Sequence, residues 1–439
     1  MKKIGLLLII LALPVLIFVG CKKKEAVSQQ QTSESNYLRF AWWGNPTRDA
    51  GTLEMIKLFE QKNPGVTVEG ETAGFGGYWD NLAAQAAAGN LPDVMQMDYA
   101  YIAQYNSRNQ LVDLQPFAQR GLIDLSDWSD AGLSGGRLEG KLVGLNLGVN
   151  AFGIEVDTAV VQQAGVTIND TVWTWRDFEN IALQIYQRTG IQTIGFGDNI
   201  WYQFFENISR YFDSPMYAAD GRSLAYTNNT AALAGIKELF DVFLRLKAAG
   251  ALYDVEDSVI AGQAMPEVPL SQGKTWNHWA WSNQHVGYVN AANRPLEFYL
   301  CPAPTATGFK APYGTYLKPS MLISMLSAAR DKDLAARFIN FFVNDNDAGR
   351  VLPGERGVPI PTHIMTDLTP RVDGAMRQSF DFIAKATPLS SAIDPPDPAR
   401  AGEARGQMLS HIVDGMLGRI NSEEAVARTV RAANAVLSR

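Results

Sequence analysis

The chain has 439 residues, 19% of them charged, with a formal net charge of −7 and only two cysteines. That acidic balance argues against nucleic acid as a partner and against a broadly basic surface. Just over 400 residues remain beyond the first few dozen, too many for one hydrophobic core, which predicts two lobes.

Residues 1–20 read as an export leader. Lys2 and Lys3 form a short basic start, Ile4 to Val19 is almost wholly apolar, and Pro14 interrupts a run already short for a membrane span. Phe18-Val19-Gly20-Cys21 resembles a bacterial lipobox, where cleavage precedes a cysteine that is then lipidated, so Cys21 is the expected lipidation site. Residues 21–36 are polar, lack apolar periodicity and are predicted to form a flexible tether. Lys22, Lys23 and Lys24 there suit anionic headgroups. Losing the leader removes Lys2, Lys3 and no acid, which takes the net charge from −7 to −9. With Cys21 on the tether, Cys301 has no disulfide partner and reads as a small buried residue. The expectation is an exported chain, lipid-anchored to a membrane and facing the periplasm or the cell exterior.

Leu38, Phe40 and Trp42 alternate with Arg39 and Ala41, predicting a strand that stops at Gly44-Asn45-Pro46. Leu53, Ile56 and Phe59 mark a helix face ending before Asn63-Pro64-Gly65. Val66 and Val68 begin a second strand, Tyr78 to Ala88 reads as a helix stopped by Gly89, and Asp93 to Met97 is a third strand. This alternation predicts a parallel sheet with flanking helices. A second α/β region follows from about residue 150. Its clearest helix starts at Thr230 as N-cap and runs to Gly250. Another begins near Asp331, with Leu334, Phe338, Phe341 and Phe342 on one face. Pro395-Pro396-Asp397-Pro398 separates a final helical stretch of roughly residues 400–438.

Several catalytic and metal-binding patterns lack the setting their chemistry needs. Gly132-Leu133-Ser134-Gly135-Gly136 matches the G-x-S-x-G pattern of serine hydrolases, but that elbow needs a hydrophobic strand before the serine. Here Ser126-Asp127-Trp128-Ser129-Asp130 precedes it, so a small-residue loop is expected. The histidines His278, His285, His363 and His411 show no metal-binding spacing. Gly74-Phe75-Gly76-Gly77 lacks the strand-to-helix setting of a dinucleotide loop. With 45 acidic residues, a carboxylate pair suited to glycoside hydrolysis carries no information. No cofactor and no metal are expected, and no bond-making activity is assigned.

One stretch points to binding. Lys274 to Gln284 holds Trp276, Trp279 and Trp281 among Asn277, His278, Ser282, Asn283 and Gln284. It reads either as a core strand or as an aromatic wall with amides beside it. Sugars, with apolar C–H faces and a rim of hydroxyls, need flat aromatic platforms plus planar polar partners.

Gly140-Lys141-Leu142-Val143-Gly144-Leu145-Asn146 resembles a signature of sugar-binding proteins of ABC transporters, and Thr174-Trp175, Leu91-Pro92-Asp93-Val94 and Met216 to Gly221 follow that family's order. Trp279-Ala280-Trp281-Ser282-Asn283 is similar to the same stretch of maltose-binding proteins. A nearer likeness, to binders of pectic, oligogalacturonide-type saccharides, is carried by Ala41-Trp42-Trp43-Gly44, Gly77-Tyr78, Asp93 to Gln96 and Tyr316 to Ser320. The likeness extends over nearly all of residues 37–439. It implies a two-lobed fold of periplasmic-binding-protein type II, with a ligand cleft between lobes and hinge crossings near Val149-Asn150 and near residues 310–316. One lobe would comprise residues 37–148 and 313–360, the other 149–312 and 361–439.

The resemblance implies Trp279 as the sugar platform, with Trp281 in the core. Asn150 would stand where maltose binders use a sugar-contacting acid. Trp43, Arg48, Tyr78 and Asp98 are the expected contacts of the first lobe, at strand ends where open α/β sheets bind ligands. Trp201, Tyr202, Glu206 and Asn207 would face them, and Lys318 and Arg356 are candidate cleft cations suited to a uronate. The implied partners are an oligosaccharide, the transmembrane subunits of an ABC permease, and a membrane reached through the lipid anchor, for a monomeric protein. Two rival readings share some of these features: a secreted carbohydrate-active enzyme and a surface adhesin.

Overall fold

The structure, a computed structural model, describes residues 36–195, 201–253, 265–308 and 314–439. The leader, the lipidation site Cys21 and part of the return crossing expected at residues 310–316 lie outside the described residues.

Strands β1 (Tyr37–Trp43), β2 (Thr67–Ala73) and β3 (Val94–Met97) lie parallel, with β1 in the middle, and helices Pro46–Lys62 and Phe75–Ala87 make the connections. Beyond the small hairpin of β4 (Arg137–Leu138) and β5 (Lys141–Leu142), β6 (Leu145–Asn150) joins the same sheet only through a strand that arrives much later in the chain. This is β10 (Lys318–Met325), antiparallel to both β3 and β6, and the sheet order is β2-β1-β3-β10-β6. The sheet is therefore mixed, not wholly parallel as the strand–helix alternation suggests. That local rhythm reports only the first three strands.

Phe40 and Trp42 face one way from β1 and stack on each other, and Phe40 packs on Phe338 and Phe342 of helix Lys332–Asn344. Trp43 faces the other way, against Phe75, Tyr78 and Trp79. The alternation of a strand thus sends the adjacent tryptophans into two separate cores, and both are buried.

A second sheet takes β7 (Phe152–Asp157) as its centre, with β8 (Asn277–Trp281) and β9 (Leu296–Tyr299) antiparallel on either side. Only Ala151 separates β6 from β7. Ala151 donates its amide to Ser282 Oγ at 3.2 Å and accepts from the Ser282 amide at 3.0 Å, which pins this passage between the two sheets. The two sheets, the helices on them and this direct crossing make the two-lobed α/β fold.

Beneath the second sheet Trp175, Phe178, Phe204 and Trp279 form one aromatic core. The helix expected from Thr230 spans Thr230–Ala248, but its N-cap is Asn229, whose side chain accepts from the Ala232 amide at 3.1 Å. Asn229 also donates to Phe212 O and Ser214 Oγ. Asn229→Ala is expected to cost about 1 kcal/mol or slightly more, read as a lowered midpoint in urea unfolding. Gly250, at φ 73°, ends the helix in the left-handed region that suits glycine. The final stretch divides into helices Ala401–Met416 and Ser422–Leu437, which pack on each other and on helix Thr230–Ala248. No helix among the described residues is long and apolar enough to cross a membrane.

Candidate ligand cleft

A cleft of about 710 Å³ opens where the ends of both sheets and three connecting segments converge. This lies within the roughly 300–1,000 Å³ typical of small-molecule sites. One side presents Arg48 from the start of helix Pro46–Lys62, Asp98 and Tyr99 at the start of helix Tyr99–Ser107, Asn150 from the end of β6 and Lys318 from the start of β10. Asn150 and Lys318 are register partners, so strand pairing itself sets them side by side. The other side presents Tyr202, Gln203 and Glu206 from helix Trp201–Tyr211, and Trp281 from the last position of β8. Tyr316 and the segment Ile393 to Asp397 complete the wall.

Trp281 is half-buried, with the Lys318 ammonium 4.6 Å above its ring and Tyr316 edge-on at 5.9 Å. Lys318 forms no ion pair among the described residues. Burial lowers its pKa, while Glu206, Asp98 and Asp397 act in the opposite sense. Arg405 lies 4.2 Å from the Tyr202 ring and pairs with Asp397 at 2.5 Å. Asp98 caps helix Tyr99–Ser107 by accepting from the Ala100 amide at 2.8 Å, and it still borders the cleft. Arg48 is held by Glu355 at 2.9 Å and also donates to Trp43 O.

Glu206 accepts a hydrogen bond from Tyr316 Oη at 3.0 Å. Burial pushes its carboxyl up to about 7, with the Asp394 charge adding to the effect and Arg210 opposing it. Arg210 is itself paired with Asp394 and lies 4.7 Å from the Tyr316 ring.

Seven of the twelve expected contacts line this cleft: Arg48, Asp98, Asn150, Tyr202, Glu206, Lys318 and Arg356. Five do not. Trp43 is buried among Phe75, Tyr78 and Trp79, and Tyr78 donates its hydroxyl to Gln96 O at 2.6 Å within the same core. Trp201 is buried against Phe205, and Asn207 faces a much smaller cavity beside Cys301. Trp279 lies furthest from its expected place. It is 1% exposed and enclosed by Trp175, Phe178 and Phe204, whereas Trp281, expected in the core, is the tryptophan at the cleft.

Arg356, expected as a cleft cation suited to a uronate, borders the cleft with its guanidinium already engaged. Its guanidinium donates to Gln96 Oε1 at 3.0 Å and Thr52 Oγ1 at 2.7 Å, and burial lowers its pKa to about 9. The backbone holds it there: Val149 and Val358 pair across the gap, and a Cβ at Gly148 would meet Arg356 O at 2.2 Å. Residues missed in the sequence include Trp281, Tyr316, Tyr217, Asp394, Asp397 and Arg405. Trp281, Tyr217, Tyr316 and Asp397 each stood within a stretch that the sequence singled out, while Asp394 and Arg405 carried no signal.

Ser134 and two buried histidines are engaged with other groups. Ser134 ends a five-residue helix, donates to Ala131 O at 2.7 Å and accepts from the Ile393 amide at 3.0 Å. Burial lowers His278 to about 4, and its Nε2 meets Tyr288 Oη at 3.0 Å. His285 is engaged by Glu155 and Gln378. Among the described residues no group of three or more His, Cys, Asp or Glu could hold a metal ion.

Two lobes enclosing a polar, aromatic-lined cleft at their sheet ends define a solute-binding protein of α/β type. The chain belongs to the bacterial extracellular solute-binding protein family, whose model matches residues 54–348. That is a family of binding proteins, and its members are exported. An extracellular solute-binding protein of family 1 from Alicyclobacillus acidocaldarius is similar at 27% identity and a TM-score of 0.80, over 92% of this chain and 98% of that one. A periplasmic oligogalacturonide-binding protein from Yersinia enterocolitica shares the fold at 20% identity and a TM-score of 0.74, over 91% and 98% of the chains. A cyclic alpha-maltosyl-1,6-maltose-binding protein from Arthrobacter globiformis does so at 18% identity and 0.69, over 92% and 99%.

Proposed function

We propose that this chain captures an oligosaccharide between its two lobes and delivers it to the permease of an ABC importer, held at the membrane by a lipid on Cys21. The observation that carries this reading is Trp281: a half-exposed indole at the cleft, flanked by Tyr316 and capped by an ammonium with no ion partner among the described residues. Lys318 stands where the C–H face of a sugar ring would stack. A sugar replacing it would free the ammonium to bond hydroxyl oxygens. The lobes are taken as residues 37–148 with 313–360, and 149–312 with 361–439, closing about the crossing at Ala151. The protein acts as a monomer.

The balance of charge favours a neutral saccharide over a uronic one. Arg48 and Arg405 are neutralised by Glu355 and Asp397, and Arg356 is turned to Gln96 and Thr52. Glu206, Asp98 and Asp394 add negative groups to the same wall. Thermal unfolding of the protein with neutral and uronic oligosaccharides tests this. A saccharide at ~100 times its Kd should stabilise by about 2.7 kcal/mol, a rise of a few degrees. The neutral class is expected to give that rise, and recovery of the sugar intact separates binding from hydrolysis. No rise with any glycan would sink the saccharide reading.

A further inference from the structure

Two of the carboxylates that line the cleft, Glu206 and Asp394, lie near one guanidinium, that of Arg210. Arg210 is committed to Asp394, and its second terminal nitrogen is shared between Ser391 Oγ and Ala392 O at 2.5 Å each. Asp394 also accepts from the Met216 amide at 2.9 Å. Glu206 is left with the Tyr316 hydroxyl as its hydrogen-bond donor among the described residues, and it borders the cleft. Closure over a ligand would strip that wall of solvent. A charged carboxylate so stripped must gain donors or gain a proton.

We propose that Glu206 links ligand capture to proton uptake, so that the closed lobes hold a neutral saccharide against a protonated Glu206 side chain. This rests on the reading of the cleft as a saccharide site.

The surroundings of Glu206 favour the neutral form. Asp394 and Asp397 press on it from the segment that closes the cleft. Tyr99, Tyr202 and Tyr217 face it as neutral phenols, each with its own pKa raised by burial. Against these stand Arg210, already paired, and Lys318 across the cavity, while Arg405 is held by Asp397. A carboxyl already lifted to about 7 by burial in this wall needs little further desolvation to be protonated near neutrality. The sign follows directly. Closure raises the pKa, protons are taken up, and affinity for a neutral sugar falls as pH rises.

The test is calorimetric titration at pH 7 with maltotriose, cellotriose and xylotriose, each in phosphate and in Tris, whose ionisation enthalpies differ. Binding heats should differ between buffers in the sense of proton uptake, by a fraction of one proton. If the closed state holds that proton tenfold more tightly, Kd should weaken about fivefold from pH 6 to pH 8. In Glu206→Gln the buffer dependence should vanish and Kd should stay flat with pH. If that variant fails to fold, the wild-type buffer dependence decides alone. Binding with no proton uptake, or with release, overturns the linkage and leaves the saccharide site standing. No heat with any of the three sugars overturns the saccharide reading and the linkage with it.

Discussion

Trp281→Ala is expected to weaken oligosaccharide binding by about 2 kcal/mol, roughly thirtyfold in Kd, while leaving the fold intact. The expectation follows from where the indole sits. Trp281 pairs with Phe152 at the end of β8, half-buried, with one contact to Lys318 and one to Tyr316, both cleft residues. Removing it deletes a flat apolar surface at the cleft and, in the core, one ring contact, to Phe152 at 5.8 Å. Tryptophan fluorescence or calorimetric titration with the stabilising saccharide would read the change. Unchanged affinity in a well-folded variant would mean that the sugar stacks elsewhere.

Trp279→Ala should behave in the opposite way, costing about 3–5 kcal/mol of stability, on the order of 10 °C in Tm. Its ring meets Phe204 at 4.8 Å, Phe178 at 5.5 Å and Trp175 at 5.8 Å, so truncation opens a cavity among groups that cannot collapse to fill it. Scanning calorimetry of the two variants side by side is decisive. A Trp279 variant that melts like wild type but no longer binds would reverse the assignment made here.

These two residues show how far the sequence reaches. They are two positions apart on β8, so alternation puts both on one side of the strand, and pattern alone cannot separate them. What separates them is register. Trp279 lies opposite Ile154 in mid-strand, over the helices that cover the sheet, and Trp281 lies opposite Phe152, next to the crossing at Ala151.

The first three strands and their helices were legible because period-2 and period-3.6 patterns are local. The insertion of β10 between β3 and β6 was not, since its partners lie far away in sequence. Asn229 and Thr230 are both capping residues, and only the Asn229 side chain's bond to Ala232 chooses between them. Arg356 looked like a free cation because Gln96 and Thr52, which bind it, are distant in the chain. The Pro395-Pro396-Asp397-Pro398 segment read as a separator, yet Asp394 just before it is held by Arg210 and Tyr99, and Pro395, Pro396 and Asp397 line the cleft.

The most direct measurement is a crystal structure of the protein with the saccharide that raises its Tm most. The account predicts a sugar ring stacked on Trp281, the Lys318 ammonium displaced toward its oxygens, and the Glu206 carboxyl within hydrogen-bonding distance of the ligand. A saccharide seated outside this cleft, or within it with Lys318 still over an uncovered Trp281, would contradict it.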